Sequence, residues 1–318
     1  FILFKIGRKI GKSNIINIIS ETHKIPIFIK IFFNLLSFSF SSSKDTKSDS
    51  KDNLSTSIQE MGTTFIKLGQ FLATRPDIIG EKLSKELESL QDKLPPFSKK
   101  EAEKIIIENL GQSNFDDIID LSEPIAAASI AQVHKAKIKE DNIIKNVAIK
   151  VLRPNIKKIF NEEIDAIMLL AYIVESLITK TKRLKLIEVV FLFKEITNHE
   201  MDLRFEAAAA NEYAENTKND LGFFVPKIYW NFTSESVLTL DWIDGISIRE
   251  KDLLKERNID TSKIATNLIQ HFLRHAVRDG FFHADMHQGN IFVNESSQII
   301  PIDFGIMGRI DKLSRRYL

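Results

Sequence analysis

The sequence of 318 residues contains no cysteine. Disulfide bonds, thiol nucleophiles and cysteine-ligated metal centres are therefore excluded. Excess charge of either sign is also missing, because 44 Lys and Arg stand against 43 Asp and Glu. A chain with so small a net charge has no global electrostatic field that would draw it to nucleic acid. We therefore expect no nucleic-acid partner.

Long uninterrupted apolar runs are absent as well. In residues 1–36, basic residues and Pro26 break each run before it reaches the roughly 20 residues that a membrane-spanning helix needs. Two interpretations of this basic, apolar segment stay open: a helix on a membrane surface, or a helix packed on the protein's own core. Nine of the 21 residues from Ser37 to Ser57 are serine, and this composition predicts a linker over 37–53.

Glycine is scarce, with 12 residues. The segment Gly7–Ser13 resembles a phosphate-binding P-loop, but three residues separate its glycines where four are needed to curve around a phosphate. We therefore assign no P-loop there. Nucleotide binding, if present, must use another structure.

The segments FFHADMHQGNIFV, residues 281–293, and IDFG, residues 302–305, have the layout of a kinase catalytic loop and its metal-binding loop. Asp285 and Asn290 are five residues apart, and Asp303 lies thirteen beyond Asn290. Magnesium on a triphosphate prefers hard oxygen ligands from one or two protein groups. We therefore predict that Asp285 orients the nucleophile and that Asn290 and Asp303 bind Mg²⁺.

A zinc site is the competing interpretation, because His283 and His287 are four residues apart. The spacing to the other polar residues of the motif is not typical of zinc, and no cysteine is available. Strand patterns at Ile291–Val293 and Ile299–Asp303 surround a polar turn and predict a hairpin between the two loops. This hairpin favours the kinase interpretation.

The strand sequence VAIK, residues 147–150, is the signature of the lysine that binds nucleotide phosphates in kinases. It predicts Lys150 as a phosphate ligand. The glycine-rich loop expected before it is replaced by small residues with a Cβ, which resist positive φ and should make a stiffer cover over the nucleotide. These predicted cofactor-binding residues are Ala126, Ala127, Ala128 and Ser129.

Acidic residues that could pair with Lys150 lie in one long helix predicted over Ile187–Asn216. They are Glu200, Asp202 and Glu206. Further along, strands predicted over Val225–Phe232 and Glu235–Leu240 lead into a turn that fits an interlobe hinge. The peptide groups of Asp241 and Ile243 are predicted there as adenine contacts.

Ahead of the sheet, residues 54–120 are predicted to form a small helical layer. One amphipathic helix over Leu54–Thr74 carries Lys67 and Gln70 on a polar face. Gly69 costs the interior of that helix about 1 kcal/mol relative to alanine. We therefore expect another backbone or a ligand to approach Gly69 closely, with a tolerated surface glycine as the alternative.

Together, six motifs in this order resemble the UbiB family of atypical kinase-like proteins, also called aarF-domain kinases. The motifs are KLGQ at 67–70, AAAS at 126–129, VAIK at 147–150, EMD at 200–202, HADMHQGN at 283–290 and DFG at 303–305. The resemblance implies an α+β, two-lobed protein-kinase-like fold with a helical N-terminal extension. The lobes would be a kinase-like N-lobe over 121–240, then the hinge and the start of a truncated C-lobe over 241–318.

The resemblance also implies roles for individual residues. Lys67, Gly69 and Gln70 would be regulatory and lie near Glu200 and Asp202, and Glu206 would be the partner of Lys150. The implied cofactors are ATP or ADP and Mg²⁺. Methionine and glutamine replace two prolines usual in the family's catalytic loop, at positions 286 and 288, which removes two φ restraints.

The function implied is that of an atypical kinase or ATPase that supports ubiquinone biosynthesis. The implied partners are a lipid or quinone precursor, a membrane surface and other quinone-biosynthesis proteins, at the cytoplasmic face of a bacterial inner membrane. Because the chain stops 13 residues after Gly305, we expect this stretch to be inactive alone. The alternatives are a nucleotide-sensing scaffold without catalysis and an ordinary protein kinase, and the KLGQ and AAAS motifs disfavour the latter.

Overall fold

The computed structural model describes residues 54–88, 90, 94–177 and 179–317. The predicted segments 1–36 and 37–53 lie outside the described residues. The chain divides into two compact units. Of the described residues, the first unit holds those up to Pro95 together with Ala128–Ile130 and Asn155–Asn198, and the second holds Pro96–Ala127, Ala131–Pro154 and those from His199 onward.

The α-helices of the described residues follow in chain order. They are α1 (Leu54–Met61), α2 (Thr63–Ala73), α3 (Pro76–Ile79), α4 (Glu81–Leu87), α5 (Lys99–Leu110), α6 (Gln112–Asp116), α7 (Ile156–Leu177), α8 (Leu186–Glu200), α9 (Leu203–Thr217), α10 (Lys251–Glu256) and α11 (Thr261–Arg274). Among them, none combines the length and apolar character required to cross a membrane.

The strands of the described residues are short except for one long hairpin. They are β1 (Ile118–Ile119), β2 (Pro124–Ala127), β3 (Ala131–Glu140), β4 (Ile143–Leu152), β5 (Val237–Asp241), β6 (Ile246–Ser247), β7 (Phe281–His283), β8 (Ile291–Val293), β9 (Ile299–Pro301) and β10 (Met307–Arg309). A π-helical turn, His275–Asp279, follows α11 directly.

The first unit is helical in its described part. Met61 of α1 and Phe65 of α2 are buried against Ala166 of α7. The ring of Phe193 in α8 packs 5.5 Å from that of Phe71 and 5.6 Å from that of Phe160, measured between centroids. Apolar stripes on α1, α2, α7 and α8 thus supply the core of this unit.

The helix predicted over Leu54–Thr74 is interrupted. Gly62 has φ 104°, a left-handed conformation that ends α1 and begins α2. A Cβ on Gly69 would collide with the Cδ1 of Leu90. The close approach predicted at Gly69 is therefore confirmed, and a buried leucine side chain makes it rather than another backbone.

The second unit is built on an antiparallel sheet with the order β1-β3-β4-β5, in which β2 also pairs with β3. Strands β3 and β4 pair along their whole length. The two residues between them, Asp141 and Asn142, have φ 51° and 62°, the pair of left-handed conformations that matches a tight hairpin to strand twist. Ile138 and Ile149 bury one face of this sheet against Ile106 of α5.

Two small sheets follow in the same unit. Strands β8 and β9 pair antiparallel around the polar turn, which confirms the predicted hairpin. Strand β6 pairs with β8, and β10 pairs with β7. The residues of the predicted catalytic and metal-binding loops lie at the ends of these short strands.

Two further predictions of secondary structure were wrong. The helix predicted over Ile187–Asn216 is split, because Asp202 adopts an extended conformation and caps α9 with its own side chain. Val225–Phe232 is not a strand: Ile228 makes a single bridge to Leu240, and Trp230–Phe232 forms a 3₁₀ turn. Pro226 lacks an N–H group for a regular ladder.

Candidate active site

Lys150 lies near the end of β4, in the interior of the sheet. Its register partners are Val133 on β3 and Leu238 on β5. Because side chains alternate along a strand, the neighbours Ile149 and Val151 enter the core while Lys150 points to the opposite face. The sheet therefore fixes the backbone of Lys150, whereas the position of its amine depends on hydrogen-bond partners outside the sheet.

Those partners are two carboxylates. The Nζ of Lys150 donates to both oxygens of Glu206, at 2.8 and 2.9 Å, and to the Oδ2 of Asp303 at 3.4 Å. Burial alone would lower the pKa of Lys150, but the charges of Asp303 and Glu206 outweigh it and raise that pKa above its ordinary value. The lysine is therefore a permanent cation in this site.

Glu206 is placed by the start of α9. The side chain of Asp202 accepts from the N–H of Arg204 and so caps the helix, and Glu206 follows in its first turn with 7% of its side chain exposed. Burial raises the pKa of Glu206, and the Lys150 ammonium opposes that shift. The carboxylate also accepts from the backbone N–H of Phe304 at 3.4 Å.

Asp303 lies just beyond β9. Its Oδ1 accepts from the N–H of Gly305 at 3.0 Å, and 44% of its side chain remains exposed. The Lys150 charge lowers the pKa of Asp303 below its ordinary range. Phe304, next in sequence, is buried with its ring 6.4 Å from that of Tyr213, between centroids. The buried ring of Phe304 thus anchors the loop, and the ionised carboxylate of Asp303 stays accessible.

Asp285 and Asn290 face each other across their loop. The Nδ2 of Asn290 donates to the Oδ2 of Asp285 at 3.0 Å and to its backbone oxygen at 3.3 Å. The backbone oxygen of Asn290 accepts from the N–H of Ile302 at 3.0 Å. This arrangement leaves the Oδ1 of Asn290 without a hydrogen-bond partner within the described chain. Free amide and carboxylate oxygens on two adjacent loops fit the hard ligand set that Mg²⁺ prefers.

His283 joins the two loops, a role that the sequence analysis did not foresee. Its Nε2 lies 2.5 Å from the backbone oxygen of Asp303, and its Nδ1 accepts from the N–H of Asp285 at 3.1 Å. Burial lowers the pKa of His283, so the ring is neutral, with Nε2 donating. Both ring nitrogens are occupied, which disfavours the zinc interpretation of His283 and His287. The sequence feature that could have indicated this role is the position of His283, two residues before Asp285.

The small-residue loop needs no glycine. None of Ala126, Ala127, Ala128 and Ser129 is among the residues with positive φ. Ala126 and Ala127 end β2 and pair with β3. The backbone oxygen of Ser129 accepts from the Oγ1 of Thr63, the first residue of α2, at 3.4 Å. The loop is therefore continuous with a strand at one end and fastened to α2 at the other.

The predicted regulatory residues fall in separate parts of the fold. Lys67, Gly69 and Gln70 lie in α2 of the first unit. Glu200 ends α8 and Asp202 caps α9, both in the second unit. The predicted contact between these two groups stays a prediction.

At the predicted hinge, most polar groups of Asp241 already have protein partners. Its carboxylate accepts from the hydroxyl of Tyr229 at 2.6 Å and from the N–H of Lys227 at 3.1 Å, and its own N–H donates to the Lys227 oxygen. The N–H of Trp242 donates to Asn146. Ile243 is the first hinge residue whose peptide groups make no hydrogen bond within the described residues, so it is the better candidate for an adenine contact.

Comparisons with known proteins agree with this geometry. Residues 89–318 match the ABC1 atypical kinase-like domain. The chain is 35% identical over 300 residues to the "Probable protein kinase UbiB" of Marinobacter nauticus, which covers 93% of this chain and 54% of that protein. The protein of that name from Pseudomonas aeruginosa is 32% identical over 322 residues, covering 99% of this chain and 60% of that protein. The chain thus spans little more than half the length of these relatives.

A solved structure is also similar. It is the complex of Rv3197 with erythromycin from Mycobacterium tuberculosis, with a TM-score of 0.50 and 25% sequence identity, covering 76% of this chain and 59% of that chain. The comparisons confirm both the predicted α+β kinase-like fold class and the resemblance to UbiB proteins. The chain belongs to the ABC1 atypical kinase-like family.

Proposed function

We propose that this protein is a Mg²⁺- and ATP-dependent atypical kinase or ATPase that supports isoprenoid quinone biosynthesis. The observation that carries the proposal is the cluster of Lys150, Glu206 and Asp303, in which one amine lies within 3.4 Å of two carboxylates from distant parts of the chain. Such a lysine–glutamate pair beside an aspartate that can bind metal is the arrangement that protein kinases use for phosphoryl transfer.

Each residue has a distinct role. Lys150 binds the α- and β-phosphates, and Glu206 keeps its amine in position. Asp285 accepts a hydrogen bond from the attacking hydroxyl or water and orients it toward the γ-phosphate. The peptide groups of Ile243 bind the adenine, and Ala126–Ser129 cover the phosphates.

The metal would be held by Asn290 and Asp303. Bound Mg²⁺ supplies positive charge that neutralises the phosphate oxygens as the terminal phosphoryl group leaves ADP. The hydrogen bonds of His283 to both loops keep these ligands and Asp285 in one arrangement, so that charge stabilisation needs little reorganisation.

The biological assignment rests on the family. The similar relatives carry the UbiB name, and we propose the same setting: a lipid or quinone precursor as the acceptor, other quinone-biosynthesis proteins as partners, and the cytoplasmic face of a bacterial inner membrane as the location. In this proposal Lys67, Gly69 and Gln70 regulate the site together with Glu200 and Asp202.

The nucleotide site is tested by the thermal stability of the intact protein with ATP or ADP, with and without Mg²⁺. We expect each nucleotide to raise the unfolding temperature, with the larger rise in Mg²⁺, because a ligand that binds only the folded state stabilises it. Asp303→Asn should abolish the Mg²⁺-dependent part of binding in calorimetry. The exposed Asp165→Asn is the control and should bind as the wild type does. Unchanged binding by Asp303→Asn would refute the assignment of the metal ligand.

A nucleotide-sensing scaffold is the second candidate, favoured by the glycine-free loop at 126–129. Release of phosphate above background in a single turnover would establish catalysis. Nucleotide-dependent stabilisation without phosphate release, in the presence of quinone-precursor lipids, would support the scaffold instead.

A further inference from the structure

A second group of ligand-type side chains lies in the second unit, apart from the residues of the proposed nucleotide site. It comprises Asp220, which follows α9, His271 in the last turn of α11, and His275, the first residue of the π-helical turn. All three are buried, and one donor atom from each lies within 4.8 Å of the other two. We call this group the Asp220 cluster.

Hydrogen bonds at both ring nitrogens fix the orientation of His275. The Nε2 of His275 lies 2.9 Å from the Oδ2 of Asp220, and its Nδ1 lies 2.7 Å from the hydroxyl of Tyr213. A histidine held at one nitrogen by a hydroxyl presents its other nitrogen in a fixed direction, as metal-binding histidines do. Tyr213 therefore has the position of an orienting partner.

The environment of the His271 side chain indicates that the Asp220 cluster binds a ligand. Only 4% of the residue is exposed, and its Nδ1 is buried without a hydrogen-bond partner among the described residues. Buried polar atoms in folded proteins nearly always have a partner, and an exception requires an explanation such as an ion. Burial also lowers the pKa of His271 and of His275, so both rings are neutral and can donate a lone pair.

We propose that Asp220, His271 and His275 form a binding site for a first-row transition-metal dication, with Zn²⁺ as the probe. Two imidazoles and one carboxylate suit Zn²⁺ and its neighbours, whereas Mg²⁺ prefers an all-oxygen set. The two histidines are four residues apart, and the π-helical turn, a form of helix frequent at functional sites, begins at the second of them. The site would tie the end of α9 to the end of α11.

The neighbouring charges set the strength of this site. Arg278 donates to the two oxygens of Asp220 at 2.7 and 2.9 Å and also to Asp279, and the Nη1 of Arg274 lies 3.9 Å from Asp220. Burial opposes ionisation of Asp220, but the hydrogen bonds of Arg278 and His275 outweigh it and lower the pKa of Asp220. The charges of the two arginines also repel a dication. We therefore expect weaker Zn²⁺ binding than at a structural zinc site that has four protein ligands and no cationic side chain beside it.

The experiment is a titration of the intact protein, freed of metal by chelation and kept in excess Mg²⁺ without nucleotide. Zn²⁺ is added in competition with a chromophoric chelator, and Co²⁺ replaces it for visible ligand-field spectra. We expect one saturable site, also present in Asp303→Asn. His271→Gln and His275→Gln should lose it, and Tyr213→Phe should weaken it by about 10–100-fold.

His287→Gln is the matched control, because it removes one member of the other histidine pair and should leave Zn²⁺ affinity unchanged. His271→Gln decides the matter if His275→Gln fails to fold, since the Nδ1 of His271 has no hydrogen bond to lose within the part of the chain that the structure describes. Zn²⁺ should raise the unfolding temperature of the wild type and not that of His271→Gln. Absence of saturable binding, or binding that persists in His271→Gln, overturns the proposal.

Discussion

At the scale of single residues, the site depends on how charges are shared around Lys150. Its amine contacts two carboxylates of different exposure, with 7% of the Glu206 side chain and 44% of the Asp303 side chain exposed. Glu206 is thus the structural partner, and Asp303 keeps oxygens available for a metal. This difference in exposure fits the two roles predicted from the sequence, with Glu206 as the partner of Lys150 and Asp303 as a metal ligand.

Glu206→Gln should lower the free energy of unfolding by about 1–3 kcal/mol, because it leaves a buried ammonium with one carboxylate in place of two. Urea unfolding followed by circular dichroism measures this difference. Glu215→Gln, on the same helix, is the control: the Glu215 side chain is 69% exposed and forms an ion pair with the exposed Lys218, so stability should not change. Equal effects of both substitutions would show that the buried pair contributes nothing specific.

Candidate residues of the site could be predicted from the sequence where metal and phosphate chemistry restricts the spacing between polar residues. The distances along the chain between Asp285, Asn290 and Asp303 follow from a loop, a hairpin and a second loop, so their types and order carried the hypothesis. The part of His283 could not be foreseen in the same way. It depends on a backbone oxygen twenty residues away, and no pattern of side chains records where a carbonyl group points.

At the scale of helices and strands, local chemistry decided where elements end. The capping box of Ser98 and Glu101 begins α5. The break between α8 and α9 was missed, because apolar periodicity continues across it although Met201 and Asp202 lie outside both helices. A capping residue within an amphipathic pattern gives a weaker signal than the pattern itself.

Asp202→Ala should destabilise the protein by about 1 kcal/mol through loss of the helix cap, whereas Asp202→Asn should keep most of the stability. Thermal and urea unfolding of the two variants measure the difference. Because Asn preserves the cap and removes the charge, any change of nucleotide affinity in Asp202→Asn would report the proposed regulatory role separately. Equal destabilisation by Ala and Asn would argue against capping.

Gly69 and Leu90 should be energetically coupled. Gly69→Ala alone should lower stability, since the new methyl group meets the Cδ1 of Leu90 and overpacking outweighs the gain in helix propensity. In a Leu90→Ala background the same change should stabilise by about 1 kcal/mol. A double-mutant cycle measures this reversal of sign. Additive effects would mean that the contact has no energetic weight.

At the scale of the whole molecule, buried histidines should make stability depend on pH. Burial lowers the pKa of His134, His271, His275 and His283 below the ordinary value of 6.5. The unfolded chain therefore takes up protons at these sites at a higher pH than the folded protein does. Their contribution to folding is complete above about pH 6.5 and is lost as the pH falls toward the lowered values.

Urea unfolding from about pH 7.5 to about pH 5 should show a falling free energy, with each histidine contributing at most about 1.4 kcal/mol per pH unit. Glu206 acts in the opposite sense, because its pKa is raised, but one carboxyl group cannot offset four imidazoles. His134→Gln removes a titrating group remote from the catalytic loops and should reduce the slope. A flat profile over this range would contradict the prediction.

The fold class was predicted from the resemblance of six motifs, in their order along the chain, to those of the UbiB family. Packing details were not available to the same reasoning. The bridge at Ile228 and the 3₁₀ turn at Trp230–Phe232 depend on contacts with β5, which no local pattern specifies.

The pairing of β6 with β8 connects two places that are far apart in the sequence. Ile246, just past the hinge, is opposite Val293, and Ser247 is opposite Phe292, two residues beyond Asn290. The hydroxyl of Ser247 also donates to the backbone oxygen of Gln288 at 3.0 Å. The predicted hinge and the predicted catalytic loop are thus joined by a two-residue ladder, so we expect a ligand that moves residues 243–245 to move Asn290 as well.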